Sequence, residues 1–174
     1  PVTTGETVVV TATRSAIPLS RVLADVTVLG REEIEQSGSL TLPELLSRQP
    51  GVEAYSNGGE GKSASLLLRG AKADHVLVLV DGMRIASVTT GATSLEHLPL
   101  AAIEKIEILR GPASSLYGAD AIGGVIQIFT KRGEGGPALS FHAGIGAEHK
   151  RSSGAGLSGK AGNTAFNLAL EHNR

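Results

Sequence analysis

Apolar and polar residues alternate through the last forty positions of the chain. Leu139, Phe141 and Ile145 are separated by small or polar residues, and residues 166–170 repeat the pattern. A period of two is typical of a β-strand with one apolar face. Residues 148–151 and 161–164 have the composition of short turns. The pattern therefore predicts about three antiparallel strands after a Gly-rich linker at 133–137.

Upstream, the pattern changes to short strand-like and helix-like segments. Strands are predicted at 26–29, 52–55, 65–69, 75–80, 103–110 and 125–130, and helices at 31–36 and from Thr41 to 50–51. Thr41 and Glu44 have the spacing of a capping box, with Pro43 inside the first turn. The mixture predicts a small mixed α/β domain, of α+β class, that ends near residue 132.

Two of these strands have distinct patterns. The segment 75–80 is apolar almost throughout, which predicts a central strand buried on both faces. The segment 103–110 alternates, with Ile106 and Ile108 on one face and Lys105 and Glu107 on the other.

The first 24 residues are predicted to form a tail. Residues 7–13 are rich in β-branched side chains and favour an extended conformation, but no pairing partner lies nearby in the sequence. Two interpretations remain. The segment is either an edge strand of this domain or an exposed strand whose main-chain groups pair with another protein's sheet.

Composition excludes several classes of protein. The net charge of −1 does not suit a nucleic-acid partner, and the absence of cysteine excludes a disulfide scaffold or a thiolate metal site. No apolar run reaches the ~20 residues of a membrane helix. With 3% aromatic residues and no tryptophan, the chain lacks the aromatic girdles of a complete membrane β-barrel.

Candidate catalytic motifs are weak. Residues 56–63 nearly match a phosphate-binding loop, but the motif requires a helix after Lys62 and Ser63, and the following segment resembles a strand. From the sequence alone, a P-loop NTPase remains an alternative. The five histidines lack metal-pair spacing, and no Ser/His/Asp set is evident. We therefore expect no enzyme activity, no metal and no cofactor.

Two longer motifs carry a family resemblance. Residues 111–128, GPASSLYGADAIGGVIQI, follow Leu109-Arg110, and Gly118, Gly123 and Gly124 mark positions of positive φ or close approach. Together with residues 75–84, HVLVLVDGMR, this stretch resembles the signature of the plug domain of TonB-dependent outer-membrane transporters. Within that family, further segments resemble the cobalamin transporters, namely 7–14, 45–52 and 57–61.

The resemblance implies an organisation for the chain. Residues 1–24 would be a periplasmic tail, 25–132 the plug, and 133–174 a linker and about the first three strands of an antiparallel transmembrane β-barrel of about 22 strands. The protein would lie in the outer membrane of a Gram-negative cell, in contact with lipid through the barrel. The tail would carry the TonB box, which pairs with TonB as an added strand and comprises Glu6, Thr7, Val8, Val9 and Val10.

The resemblance also implies roles for individual side chains. Apical loops would bind ligand through Asn57, Lys62, Ser63, Ser65, Ser87, Thr89 and Thr90. Their short polar side chains suit a neutral, amide-rich ligand such as cobalamin, while heme and ferric siderophores, or a free-standing periplasmic plug-like module, remain alternatives. Arg14, Arg69 and Arg110 would make plug–barrel contacts. Arg69 and Arg110 would face acidic residues on the barrel wall, and Arg14 would similarly hold the tail down in the resting state.

Overall fold

A mixed β-sheet forms the centre of the computed structural model, which describes residues 7–39, 41–56, 64–85, 95, 98–133, 135–145 and 151–173. The strands are β1 Val8–Val9, β2 Ile17–Pro18, β3 Asp25–Leu29, β4 Val52–Ser56, β5 Ala64–Leu68, β6 Val76–Val80, β7 Met83–Arg84, β8 Ile103–Arg110, β9 Gly124–Thr130, β10 Ala138–Ile145, β11 Arg151–Ala161 and β12 Thr164–Asn173. The helices are α1 Arg31–Gln36, α2 Leu42–Ser47 and α3 Ser114–Tyr117.

The central sheet has the strand order β3-β8-β9-β6-β7 among the described residues. Only the β6–β9 pair in it is parallel. The prediction that β6 is buried is confirmed, but the middle strand is β9. Asp81 and Gly82 have φ values of 49° and 83° and reverse the chain, so that the two-residue strand β7 pairs at the outer edge of β6.

One face of the central sheet carries the larger hydrophobic core. Ile106 and Ile108 of β8, both fully buried, pack with β9 and β6 against α1, α2 and the β4–β5 hairpin. Burying one such side chain contributes about 1.5–3 kcal/mol. Helix α2 begins as predicted, because Glu44 N donates to Thr41 Oγ1 at 3.3 Å. It ends at Ser47, before the predicted end at 50–51.

The other face of the sheet is covered by the N-terminal segment and α3. Leu77, Leu79, Leu109 and Val125 form this second cluster with Ala113 and Ala121, and the partly buried Ala12 and Tyr117 pack against it. The described residues from Thr7 onward are therefore packed against the sheet, whereas the sequence analysis predicted a tail over residues 1–24 and left two interpretations of residues 7–13 open. The apolar face of the sheet needs a cover, and residues 7–12 supply part of it.

Close backbone approach explains the paired glycines before β9. At Gly124, with φ of 146°, an added Cβ would collide with the Leu109 carbonyl and the Leu68 side chain. At Gly123 it would meet Ala71 and the His75 carbonyl. The predicted need for glycine at these two positions is confirmed.

A separate antiparallel sheet, β10-β11-β12, follows the predicted alternation. Leu139 pairs with Leu157, and Leu157 pairs with Leu168. Gly162 has φ of 60° and turns the chain between Ala161 and Thr164. One face of this sheet is apolar and exposed, through Leu139, Phe141, Ile145, Leu168 and Leu170. The turn predicted at 148–151 falls largely outside the described residues.

Candidate functional site

The N-terminal strand β1 is paired along one edge with β2. Val9 lies opposite Ile17, and Leu19 N donates to the Thr7 carbonyl at 2.8 Å. Pro18 lies between Ile17 and Leu19, at a position where the antiparallel ladder needs no N–H from β2. Val9 is fully buried, whereas Thr7 and Val8 are exposed.

The other edge of the same segment contacts two side chains of β8. Lys105 Nζ donates to the Val8 carbonyl at 3.0 Å, and Val10 N donates to Glu107 Oε2 at 2.9 Å. Thr11 N and Thr11 Oγ1 donate to the same Glu107 oxygen at 2.8 and 2.6 Å. Main-chain groups on both edges of residues 7–10 are thus already engaged.

Glu107 is a fully buried carboxylate, although the alternation of β8 gave no sign of its burial depth. Lys105 Nζ lies 2.7 Å from Glu107 Oε1 and supplies the counter-charge. Burial alone would raise the pKa of Glu107, but Lys105 and the donors of Thr11 and Val10 together hold its pKa below the ordinary value. The residue is ionised at neutral pH for this reason.

Tyr117 and Arg14 extend this arrangement along the segment. Tyr117 Oη donates to the Thr11 carbonyl at 3.0 Å, and the Arg14 guanidinium lies 5.5 Å from the centre of the tyrosine ring. Burial raises the pKa of Tyr117, with the nearby Arg14 acting in the opposite direction. Arg14 Nη1 also donates to the Leu116 carbonyl at 3.2 Å, so both of these contacts of Arg14 are with α3.

Arg69 and Arg110 meet at one carboxylate, that of Asp25. The register of the sheet places Asp25 opposite Arg110, at the start of β3 and the end of β8. Arg69 Nη2 contacts Asp25 Oδ2, and Arg110 Nη1 lies 3.4 Å from Asp25 Oδ1. Their observed acidic partner thus lies on β3 of the central sheet, and the acidic partners on the barrel wall that the resemblance implies stay a prediction.

Arg110 is the more deeply buried of the two arginines. Its side chain is 3% exposed, Nε donates to the Pro50 carbonyl and Nη1 to Thr27 Oγ1, both at 2.7 Å. Its Nη2 is buried without a hydrogen-bond acceptor among the described residues. One donor of this guanidinium therefore has no acceptor within the described part of the chain.

Most predicted ligand-binding residues lie outside the described residues. Ser65 is the exception: it is half-buried in β5, opposite the exposed Tyr55 of β4. The residues not described are Asn57, Lys62, Ser63, Ser87, Thr89 and Thr90, and Glu6 of the predicted box is also outside. The strand β5 begins at Ala64, where a phosphate-binding loop requires a helix, so the P-loop alternative is wrong.

A cavity of about 470 Å³ lies between α1 and the sheet β10–β12. Arg31, Glu35, Lys131 and His142 are among its lining residues, and Asn167 Nδ2 donates to the Lys131 carbonyl at 2.8 Å. Burial lowers the pKa of Lys131, and the charge of Arg31 lowers it further. The residues whose roles sequence reasoning missed are Lys105, Glu107 and Asp25. The alternation of β8 placed Lys105 and Glu107 on one face but gave no signal of what they contact.

The described residues contain no group of three histidine, aspartate or glutamate side chains placed to bind a metal ion. Within the same residues, no helix has the length and apolar character needed to cross a membrane.

The chain is similar in sequence to curated transporters. It is 49% identical over 142 residues to "Vitamin B12 transporter BtuB" of Vibrio cholerae serotype O1, a match that covers 82% of this chain and 23% of the relative. The chain thus spans about a quarter of the length of the curated relatives that it matches.

Solved structures share the fold. The siderophore receptor PirA of Acinetobacter baumannii matches with a TM-score of 0.66 and 28% identity, over 85% of this chain and 24% of that one. FpvA of P. aeruginosa matches with a TM-score of 0.75 and 19% identity, over 95% and 22%. The predicted fold, an α+β plug followed by the first strands of an antiparallel barrel, is confirmed. Because the family model "TonB-dependent Receptor Plug Domain" also matches residues 18–125, the chain belongs to the TonB-dependent receptor plug family.

Proposed function

We propose that this chain is the N-terminal part of a TonB-dependent outer-membrane transporter for cobalamin. The observation that carries the proposal is the 49% identity to a protein named as a vitamin B12 transporter, over most of this chain. The plug would fill the barrel and gate it, and the protein would have no catalytic role. A ferric siderophore is the second candidate ligand, because the matched solved structures include siderophore receptors.

Strand addition by TonB is the proposed means of opening. Val8 and Val9 already form a β-strand, and the exposed Val8 lies at the surface. An extended segment loses little further conformational freedom on pairing, and main-chain hydrogen bonds would supply most of the affinity. The tail would face the periplasm, where it would meet TonB.

The apical loops are the proposed ligand site. Neutral hydrogen bonds from Asn57, Ser63, Ser87, Thr89 and Thr90 would suit an amide-rich corrinoid. The remaining part of the site would be barrel, so binding has to be measured on the full-length receptor.

Plug–barrel pairing is the proposed role of the arginines. A buried guanidinium donor without an acceptor is costly, so the free Nη2 of Arg110 favours an acidic or carbonyl acceptor on the barrel wall. Arg14 and Arg69 are exposed and would make weaker contacts.

The test is uptake by the full-length receptor in cells that lack their own cobalamin transporter. We expect cobalamin uptake, with no uptake of heme or ferric siderophores. Val10→Pro removes a main-chain donor from the edge opposite β2 and fixes φ, and should abolish both uptake and binding of the TonB C-terminal domain. Thr164→Pro, at the start of β12, tests whether any strand proline has this effect. Heme uptake in place of cobalamin uptake would contradict the ligand, and unchanged TonB binding by Val10→Pro would contradict the box.

A further inference from the structure

The two edges of the N-terminal strand are occupied in different ways. Because hydrogen-bonding groups alternate along a strand, those of Thr7 and Val9 face β2, and those of Val8 and Val10 face the opposite side. On that opposite side, Lys105 donates to the Val8 carbonyl and Glu107 accepts from Val10 N. These two side chains therefore provide one donor and one acceptor at the spacing that a neighbouring strand would provide.

From this geometry we infer that the Lys105–Glu107 pair controls access to the TonB box, by occupying the edge that an added strand would use. The inference rests on the proposed function and adds a regulatory pair of positioning residues to it. Strand addition at this edge requires the Val8 carbonyl and Val10 N to leave Lys105 and Glu107. Strand addition at the opposite edge requires the segment to leave β2 and Val9 to leave its buried position.

The surroundings of Glu107 explain why the segment is held firmly. Its Oε2 accepts from three donors of residues 10 and 11, and Gln127 Oε1, on the neighbouring strand, lies 3.2 Å from Thr11 Oγ1. All of these contacts join residues about a hundred positions apart, so they depend on the folded sheet. Hydrogen bonds to charged groups are stronger than neutral ones, and a carboxylate that lost them would remain buried.

Lys105 makes the pair suitable for release. Its side chain is 26% exposed and touches three groups at once: the Val8 carbonyl, Glu107 Oε1 and the ring of Phe129, 4.5 Å away. Displacement of the Lys105 ammonium frees the Val8 carbonyl and at the same time removes the counter-charge of Glu107. A purely structural ion pair would not require a contact to the main chain of the box.

The experiment compares Glu107→Gln with a matched control in the full-length receptor. Asp81→Asn is the control, because Asp81 also accepts from a main-chain N–H and a threonine hydroxyl, those of Thr130, but far from the box. Hydrogen exchange of residues 7–13 is measured by mass spectrometry, without TonB. We expect exchange about 10- to 100-fold faster in Glu107→Gln and unchanged in Asp81→Asn.

Affinity for the TonB C-terminal domain is then measured for the same proteins, and Glu107→Gln should bind more tightly than wild type. Lys105→Met provides a second variant if Glu107→Gln does not assemble, and the same changes are expected. Unchanged exchange in the folded variant would overturn the inference. Faster exchange with unchanged TonB affinity would also overturn it. Equal TonB binding by wild type and by Val10→Pro, which lacks the Val10 N–H on this edge, would instead refute the proposed box, whatever the exchange result.

Discussion

At the residue scale, Glu107 combines complete burial with a negative charge. It lies between Ile106 and Ile108, which face the opposite core, and beside Gln127 of β9. Removing a partner from a buried charge costs more than the pair contributes net, since the remaining charge cannot recover its hydration. The ionised state of Glu107 and the docking of residues 10–11 should therefore change together.

The lowered pKa of Glu107 gives this coupling a direction with pH. The carboxylate stabilises the docked segment above the ordinary glutamate pKa of about 4.3, and that contribution is lost as pH falls through the lower folded value. A spin label at Thr7→Cys should be immobile at pH 7 and become mobile only in strongly acidic buffer. In Glu107→Gln it should be mobile at both pH values. An immobile label in that variant at pH 7 would contradict the prediction, and a label at Ser140→Cys reports any general unfolding.

At the element scale, the sheet β10–β12 has two unlike faces. Leu168 and Leu170 of β12 lie on the exposed apolar face, while Asn167 and Ala169 line the cavity against the plug. An apolar band of this extent is unfavourable in water and suits the hydrocarbon of a membrane. The sheet itself thus indicates which of its faces contacts lipid in the proposed transporter.

Neighbouring residues of β12 allow a matched test of this orientation. Leu168→Lys would place a charge in lipid and should destabilise the assembled receptor by up to about 2–4 kcal/mol, depending on depth. Ala169→Lys, on the polar face, should have a smaller effect. The measurement is the amount of folded receptor in outer membranes, read from its heat-modifiable mobility on gels. Equal losses in the two variants would mean that the face of Leu168 does not contact lipid.

At the scale of the whole molecule, the ligand loops determine specificity in the proposed function. Asn57→Ala and Thr90→Ala should each weaken cobalamin binding by the full-length receptor about 2- to 12-fold, the value of one neutral hydrogen bond. Thr164→Ala, at the turn into β12, is the control and should bind as wild type. Equilibrium binding of labelled cobalamin to purified receptor provides the measurement. Wild-type affinity in both loop variants would exclude these two side chains from the site.

Local patterns were sufficient to predict most elements of the plug but not their long-range contacts. Helix α1, the Thr41 cap and strands β8 and β9 follow from periodicity and capping chemistry within a few residues. Docking of the N-terminal segment depends instead on Glu107, 96 positions from Thr11. No periodicity within residues 7–13 can show that partner. The same limit applies to Asp25, because its partners Arg69 and Arg110 are distant from it in the sequence.

Ala12 of the N-terminal segment packs against the cluster of Leu77, Leu79, Leu109 and Val125, and this contact has a consequence for a transport cycle. Pulling on the N-terminal segment would expose this apolar surface to water inside the barrel. When the pulling stops, the same hydrophobic burial would draw the segment back without further input of energy. In the proposed transporter, energy would be needed only to open the plug, and the plug would close again on its own.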